Sequence, residues 1–219
     1  MLEREAQWIG ETLGKLRAEQ ISPLLNVGSA TAEFREQVQP WIDRKVFAPL
    51  RGRGIVVDHL DMQDGDGINL RGDLTDDVFV AGLSSRGYRA LLCCNLLEHV
   101  PDPRTISTKL AQLLPSGAYL IVTVPHRFPH HPDPIDTGFR PDVAELARLF
   151  PYCNLMEGIL LDCGTGWDYV GRDPRLLVAK VMQRLIGMQQ HGGIKGSASF
   201  GPWLFRRFQQ TCVVLQKSA

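Results

Sequence analysis

Leu24–Thr31 reads LLNVGSAT, and this stretch decides the fold. Leu24, Leu25, Asn26 and Val27 run into Gly28, and the small or hydroxylated Ser29, Ala30 and Thr31 follow. An apolar run that ends at a glycine just before a helix start reads as the first strand of a nucleotide-binding sheet. Gly28 lets the backbone turn tightly and approach a ligand closely. Ser29 or Thr31 is placed to cap the next helix, whose first amides face that ligand. An ordinary tight turn has the same local pattern. The order of elements downstream separates the two readings.

Upstream, Glu5–Ala18 has helical spacing, with Ala6, Ile9, Leu13 and Leu16 on one face. Downstream, Pro40 and Pro49 break the stretch from Phe34 to Leu50 into two short helices, with Trp41 and Phe47 as core or as a pocket wall. Gly54–Leu60 is the second strand and ends at Asp61, where a doubly wound fold places a carboxylate that accepts from ribose hydroxyls. After the turn DGDG (Asp64–Gly67) come a short strand Ile68–Leu70, the tripeptide Gly72-Asp73-Leu74 and a helix Asp76–Ser85. Tyr88–Asn95 (YRALLCCN) and Tyr119–Val124 (YLIVTV) read as central strands buried on both faces, the second closed by Pro125. Between them lie LLEHVPDP (Leu96–Pro103), a helix Thr105–Leu114 and the turn Pro115-Ser116-Gly117. A loop rich in His and Pro follows, then a helix Val143–Phe150 and a strand Leu155–Leu161. A helical pattern around Met182–Gln189, a loop Gly192–Gly201 and a last strand Cys212–Gln216 complete the chain.

This alternation predicts an α/β fold: a Rossmann-like, doubly wound, mostly parallel sheet with helices on both faces. The 219 residues form one domain, with 164–201 as an insertion before the last strand. Hydrophobic residues make up 44% and charged residues 22%, enough for a core without staples. The formal net charge is +0, so the electrostatic footprint of a nucleic-acid binder is missing and a small molecule is the expected partner. The five cysteines include no C-x-x-C pair and read as reduced packing residues of a cytoplasmic protein. The amphipathic start MLEREAQWIG does not read as a signal peptide, and no apolar run reaches the ~18 residues of a membrane span.

The succession LLNVGSAT, VVDHLD, RGDL, LLCCNLLEHVPDP and LLPSGAYLIVTVP resembles class I S-adenosylmethionine-dependent methyltransferases, in particular the broad methyltransferase type 11 group. The resemblance spans about Leu24 to Phe150. It implies S-adenosylmethionine as cofactor, with Gly28 and Ser29 under its methionine part and Asp61 on the ribose hydroxyls. It further implies Asp73 and Leu74 at the adenine, Asn95 and Leu96 at the sulfonium end, and Glu98 and His99 where cofactor and acceptor meet. Asn26 stands where the family usually has an acid, and Ser29, Ala30 and Thr31 stand where it has more glycines. Asn26 can hydrogen-bond an amine but offers it no charge.

Methyl transfer is a direct displacement, so the enzyme aligns the reacting atoms and excludes water. A hydroxyl acceptor also needs its proton removed. The loop after Val124 supplies His126, His130, His131, Asp133, Asp136 and Arg140. His130 and His131 rank as candidate bases, with Asp136 and Arg140 orienting them, and His99 is the rival base. The spacing matches no recurrent zinc pattern, so no metal ligands are assigned. The bland reading makes this loop structural, its His and Asp bonded to backbone and to Arg140. The expected function is methyl transfer to oxygen of a small molecule or biosynthetic intermediate. The alternative is a methyltransferase-fold module that is non-catalytic or only binds cofactor. A nicotinamide-dependent oxidoreductase is disfavoured because NVGSATAEF lacks G-x-G-x-x-G.

Overall fold

The computed structural model describes residues 1–131, 135–170 and 205–218. The chain order is α1 (Glu3–Gly14), α2 (Ala18–Ile21), β1 (Leu24–Val27), helical turns Phe34–Val38 and Asp43–Phe47 continuing into α3 (Ala48–Gly52), β2 (Val57–Asp61) and β3 (Leu70–Arg71). Then come α4 (Asp77–Ser84), β4 (Ala90–Cys94), a 3₁₀ turn Leu97–His99, α5 (Pro103–Gln112), β5 (Tyr119–Arg127), α6 (Val143–Arg148), β6 (Cys153–Thr165), α7 (Gly166–Val170) and β7 (Arg207–Lys217). The seven strands form one sheet in the order β3-β2-β1-β4-β5-β7-β6. Strands β1 to β5 pair in parallel, and β7 runs antiparallel between β5 and β6. This is the doubly wound sheet expected from the alternation, with its reversal of strand order at β1 and β4.

The apolar runs explain the layering. In β4, Leu91 and Cys93 face a core built with Val80, Leu110 and Leu146, whereas Ala90 and Leu92 face one built with Ile9, Leu13 and Phe47. α1 therefore lies on the face opposite α4–α6 and carries its apolar stripe onto the sheet. It ends at Gly14 rather than Ala18, because Gly is a poor helix former and Gln20 Oε1 accepts the Arg17 N–H at 2.9 Å to begin a new turn. Trp41 is half-buried and Phe47 is core. β5 runs past Pro125 to Arg127, and the register shift between Pro125 and Arg127 absorbs the missing proline N–H. β6 is longer than its apolar segment suggests because it pairs with β7 along nearly its whole length. Of the stretch read as an insertion, 171–204 lies outside the described residues, as do the Met182–Gln189 helix and the Gly192–Gly201 loop. Among the described residues no helix is long and apolar enough to cross a membrane.

Candidate functional site

The carboxyl ends of β1, β2, β4 and β5 meet at one edge of the sheet, where open α/β sheets bind ligands. Gly28 follows β1 with φ +66°, and a Cβ there would lie 3.2 Å from Leu96 Cδ1, so the loop after β1 and the residue after Asn95 touch. Ala30 also adopts φ +52°, a conformation that costs a side-chain-bearing residue about 1 kcal/mol or more. The loop keeps this shape without extra glycines because two partners hold it. Asp61 Oδ2 accepts the Ala30 N–H at 2.8 Å, and the buried Arg35 guanidinium donates to the Ser29 carbonyl at 3.0 Å, to the Ala30 carbonyl and to the Gly67 carbonyl at 2.9 Å. Burial lowers the Arg35 pKa, against Glu36, Asp43, Asp61 and Asp66, which raise it.

Arg35 lies over the Phe47 ring, 5.9 Å from its centroid, and Phe47 meets the His59 ring edge-on at 4.8 Å. His59 Nδ1 in turn pairs with Asn26 Nδ2 at 3.0 Å. Burial, with Arg35 and Arg51 nearby, pushes His59 down to about 4, so it is neutral at pH 7 and accepts from Asn26. Asn26 is thus engaged across the β1–β2 pair rather than turned toward the loop. Nothing in the sequence pattern around Arg35 signals its role.

On the β2 side, Asp61 is half-buried and also accepts from Gln63 N at 3.2 Å. Asp73 accepts from Thr75 N at 2.7 Å, which holds its carboxyl below the usual range, and Leu74 beside it is 8% exposed. On the β4 side, Asn95 has φ +52° and donates from Nδ2 to Glu5 Oε1 at 2.7 Å. Glu5 is fully buried, also accepts from Thr123 Oγ1 at 2.6 Å, and accepts the Leu2 N–H at 3.0 Å. A carboxylate of α1 therefore ties that helix to the residue after β4 and to β5. Its signal in the sequence is an acid four residues before Ile9, inside the apolar stripe.

The 3₁₀ turn Leu97–His99, after Asn95, carries Glu98 and His99. Glu98 is fully buried, and neither carboxylate oxygen has a hydrogen-bond partner. Burial pushes its pKa up to about 8, with Glu5 adding to the shift. His99 Nε2 lies 3.7 Å from Glu98 Oε1, while His99 Nδ1 meets the Ile135 carbonyl. The His99 and His131 rings stand edge to face at 5.1 Å.

The histidine loop is braced from inside. His130 Nε2 meets the Asp136 carbonyl at 3.1 Å, His131 Nδ1 meets the Pro129 carbonyl at 3.1 Å, and His126 Nδ1 meets the Pro141 carbonyl at 3.1 Å. Asp136 accepts from Arg140 at 2.6 and 3.0 Å, from His131 N at 3.0 Å and from Gly138 N at 2.9 Å. Burial would raise the Asp136 pKa, but these donors outweigh it and hold the group well below the ordinary carboxylate range. Burial lowers His131. Asp133 lies outside the described residues. The structure thus brings His99 and His131 together and leaves His130 apart, on the exposed side of the loop.

No family model and no curated protein matches the chain. Solved structures do. A protein of Galdieria sulphuraria assigned as a sarcosine dimethylglycine methyltransferase aligns over 98% of this chain and 86% of its own, at TM-score 0.55 and 12% identity. The cyclase SpnF aligns over 99% and 81%, at TM-score 0.54 and 14% identity. Coclaurine N-methyltransferase, bound to N-methylheliamine and SAH, aligns over 95% and 70%, at TM-score 0.55 and 12% identity. The chain has the class I methyltransferase fold.

Proposed function

We propose that this chain is an S-adenosylmethionine-dependent methyltransferase that acts on a small molecule, at oxygen. The observation that carries the reading is the Asp61–Ala30 hydrogen bond, which sets the carboxylate at the end of β2 against the loop that follows Gly28. Asp61 takes the ribose hydroxyls, Asp73 and Leu74 take the adenine, and Gly28 and Ser29 pass under the methionine part. Asn95 and Leu96 line the sulfonium end. These residues fit the cofactor at the strand ends, and they depart from it at Asn26, whose amide is held by His59. The cofactor supplies an electrophilic methyl group when bound.

The chain's own residues then position the acceptor. His99 offers its Nε2 lone pair because the Ile135 carbonyl keeps the hydrogen on Nδ1, and His131 stands beside it. This pair receives the proton of an acceptor hydroxyl, beside a loop whose described residues are held by the Asp136–Arg140 pair. Fold neighbours whose names specify N-methyl transfer and a cyclase show that the fold alone does not choose the reaction. The second reading, a module that binds cofactor without turnover, is favoured by the engagement of Asn26. Titration calorimetry with S-adenosylhomocysteine tests the first part, with a single micromolar site expected and no binding at millimolar ligand overturning it. Transfer of labelled methyl to phenol, sugar-hydroxyl and amine acceptors separates the oxygen reading from the others, and binding without transfer to any of them supports the second reading.

A further inference from the structure

We infer that Glu98, His99 and His131 form a binding site for a divalent transition-metal ion of the zinc type. Donor atoms of the three side chains lie within 4.8 Å of one another. They come from two separate segments, the turn after β4 and the loop after β5, so the grouping is made by the fold and not by a local run.

Three observations point to an ion at this place rather than to a chance cluster. Glu98 is fully buried, and both of its oxygens lack a hydrogen-bond donor. A buried carboxyl group without partners is costly, and such groups normally bind a proton donor, water or a cation. The hydrogens of both imidazoles are already placed. His99 Nδ1 faces the Ile135 carbonyl and His131 Nδ1 faces the Pro129 carbonyl, and a carbonyl only accepts. Each ring in its neutral form therefore carries its lone pair on Nε2. Orientation of a histidine by a carbonyl on its other nitrogen is the usual second shell of a metal ligand. Finally, the backbone amide of His131 is fixed by Asp136, itself held by Arg140, so the loop donor is presented by a braced segment.

Two imidazoles and one carboxylate suit zinc or a similar first-row ion better than magnesium or calcium. Zinc bonds of about 2.0–2.2 Å to these donors require donor separations of roughly 3.0–3.5 Å. The 3.7 Å between Glu98 and His99 needs to contract by only a few tenths of an ångström, and the other pairs, all within 4.8 Å, by about 1–2 Å at most. Three protein ligands leave a coordination position open, as in catalytic rather than structural sites. That position takes the acceptor hydroxyl: coordination makes its proton acidic enough to pass to solvent, the oxygen then attacks the methyl carbon as the sulfonium C–S bond breaks, and His99 and His131 act as ligands in place of the base role given above. This last step rests on the methyltransferase reading; ion binding does not.

The test uses the full chain after treatment with a chelator. Zinc chloride is titrated by calorimetry, and cobalt(II) is added to read the visible ligand-field spectrum of an imidazole-containing site. One equivalent is expected to bind, with affinity falling at least about 10–100-fold in Glu98→Gln and in His131→Gln. His126→Ala, on a histidine bonded to Pro141, is expected to leave binding unchanged. Should Glu98→Gln fail to fold, His131→Gln alone decides, since it changes a loop side chain. Binding that persists undiminished in His131→Gln, or no stoichiometric binding to the wild-type chain, overturns the inference. S-adenosylhomocysteine affinity is measured in parallel. Its loss with ion binding kept counts against the methyltransferase reading, and the reverse counts against the ion site.

Discussion

Asp61 accepts the Ala30 N–H at 2.8 Å, so the carboxylate assigned to the ribose also sets the shape of the loop beside it. The two roles separate in Asp61→Asn. An amide oxygen still accepts from Ala30, whereas the charge that strengthens bonds to ribose hydroxyls is gone. We expect Asp61→Asn to weaken S-adenosylhomocysteine by about 1–3 kcal/mol and to lower the thermal midpoint only slightly, since it keeps the Ala30 bond and gives up the longer, exposed one from Gln63 N, and Asp61→Ala to lose affinity and more stability together. Calorimetry that finds both variants at wild-type affinity removes Asp61 from the cofactor site.

Ala30 at φ +52° stands where the family pattern has glycine. The left-handed conformation costs Ala about 1–2 kcal/mol, and Gly gives back part of that through its looser unfolded chain. Ala30→Gly is therefore expected to raise stability by up to about 1 kcal/mol, read as a higher urea midpoint with an unchanged slope. A lower midpoint shows that the loop is not strained there.

The strands were legible because each apolar run is short and bounded by turn residues, as in Leu24–Val27 before Gly28 and Ala90–Cys94 before Asn95. Carboxylates at strand ends, such as Asp61, follow from that placement. What joins one element to another was not legible. Glu5 reaches Asn95 and Thr123 across 90 and 118 residues, and Arg35 holds loop carbonyls that its own neighbours do not suggest. The pairing of His131 with His99 was hidden for the same reason. Their rings meet because two strand ends are adjacent in the sheet, a relation that no local spacing records.

Cys93 is fully buried and Cys94 packs against the α1 layer, and burial pushes Cys93 well above its ordinary pKa and Cys94 up to about 12. The thiolate is the reactive form. Native protein is expected to resist a thiol reagent at both positions, with labelling no faster than global unfolding. Rapid modification of Cys94 alone means that α1 does not stay on the sheet.

His59 gives a pH dependence with a fixed sign. Its folded pKa of about 4 lies below the ordinary 6.5, chiefly through burial, with Arg35 and Arg51 lowering it and Asp58 and Asp43 opposing. Between these values the unfolded chain binds more protons than the folded one, so stability rises with pH. The contribution is complete above about pH 6.5 and is lost as pH falls toward about 4, by roughly 3 kcal/mol at most. His59→Gln keeps an acceptor for Asn26 and removes the titration. Urea midpoints of the two proteins are expected to converge as the pH is lowered through this window. Parallel curves show that His59 is protonated or solvated in the folded state.

Arg140 is the test of how the histidine loop is braced. Asp136 is 9% exposed and receives two bonds from Arg140, one from the His131 amide and one from the Gly138 amide. Removing only the guanidinium leaves a buried carboxylate with neutral donors, which is worse than removing both members of the pair. Arg140→Met is expected to cost about 2–3 kcal/mol, and adding Asp136→Asn is expected to recover part of it. Below the ordinary carboxylate pKa the folded protein must protonate Asp136 against its donors, so the wild-type advantage over Arg140→Met shrinks as pH falls there. Because Gly28, Asp61 and Asp73 lie on other elements, S-adenosylhomocysteine affinity is expected to survive in Arg140→Met. If the double variant is as unstable as the sum of the singles, Asp136 and Arg140 act independently, and the loop owes its shape to its prolines instead.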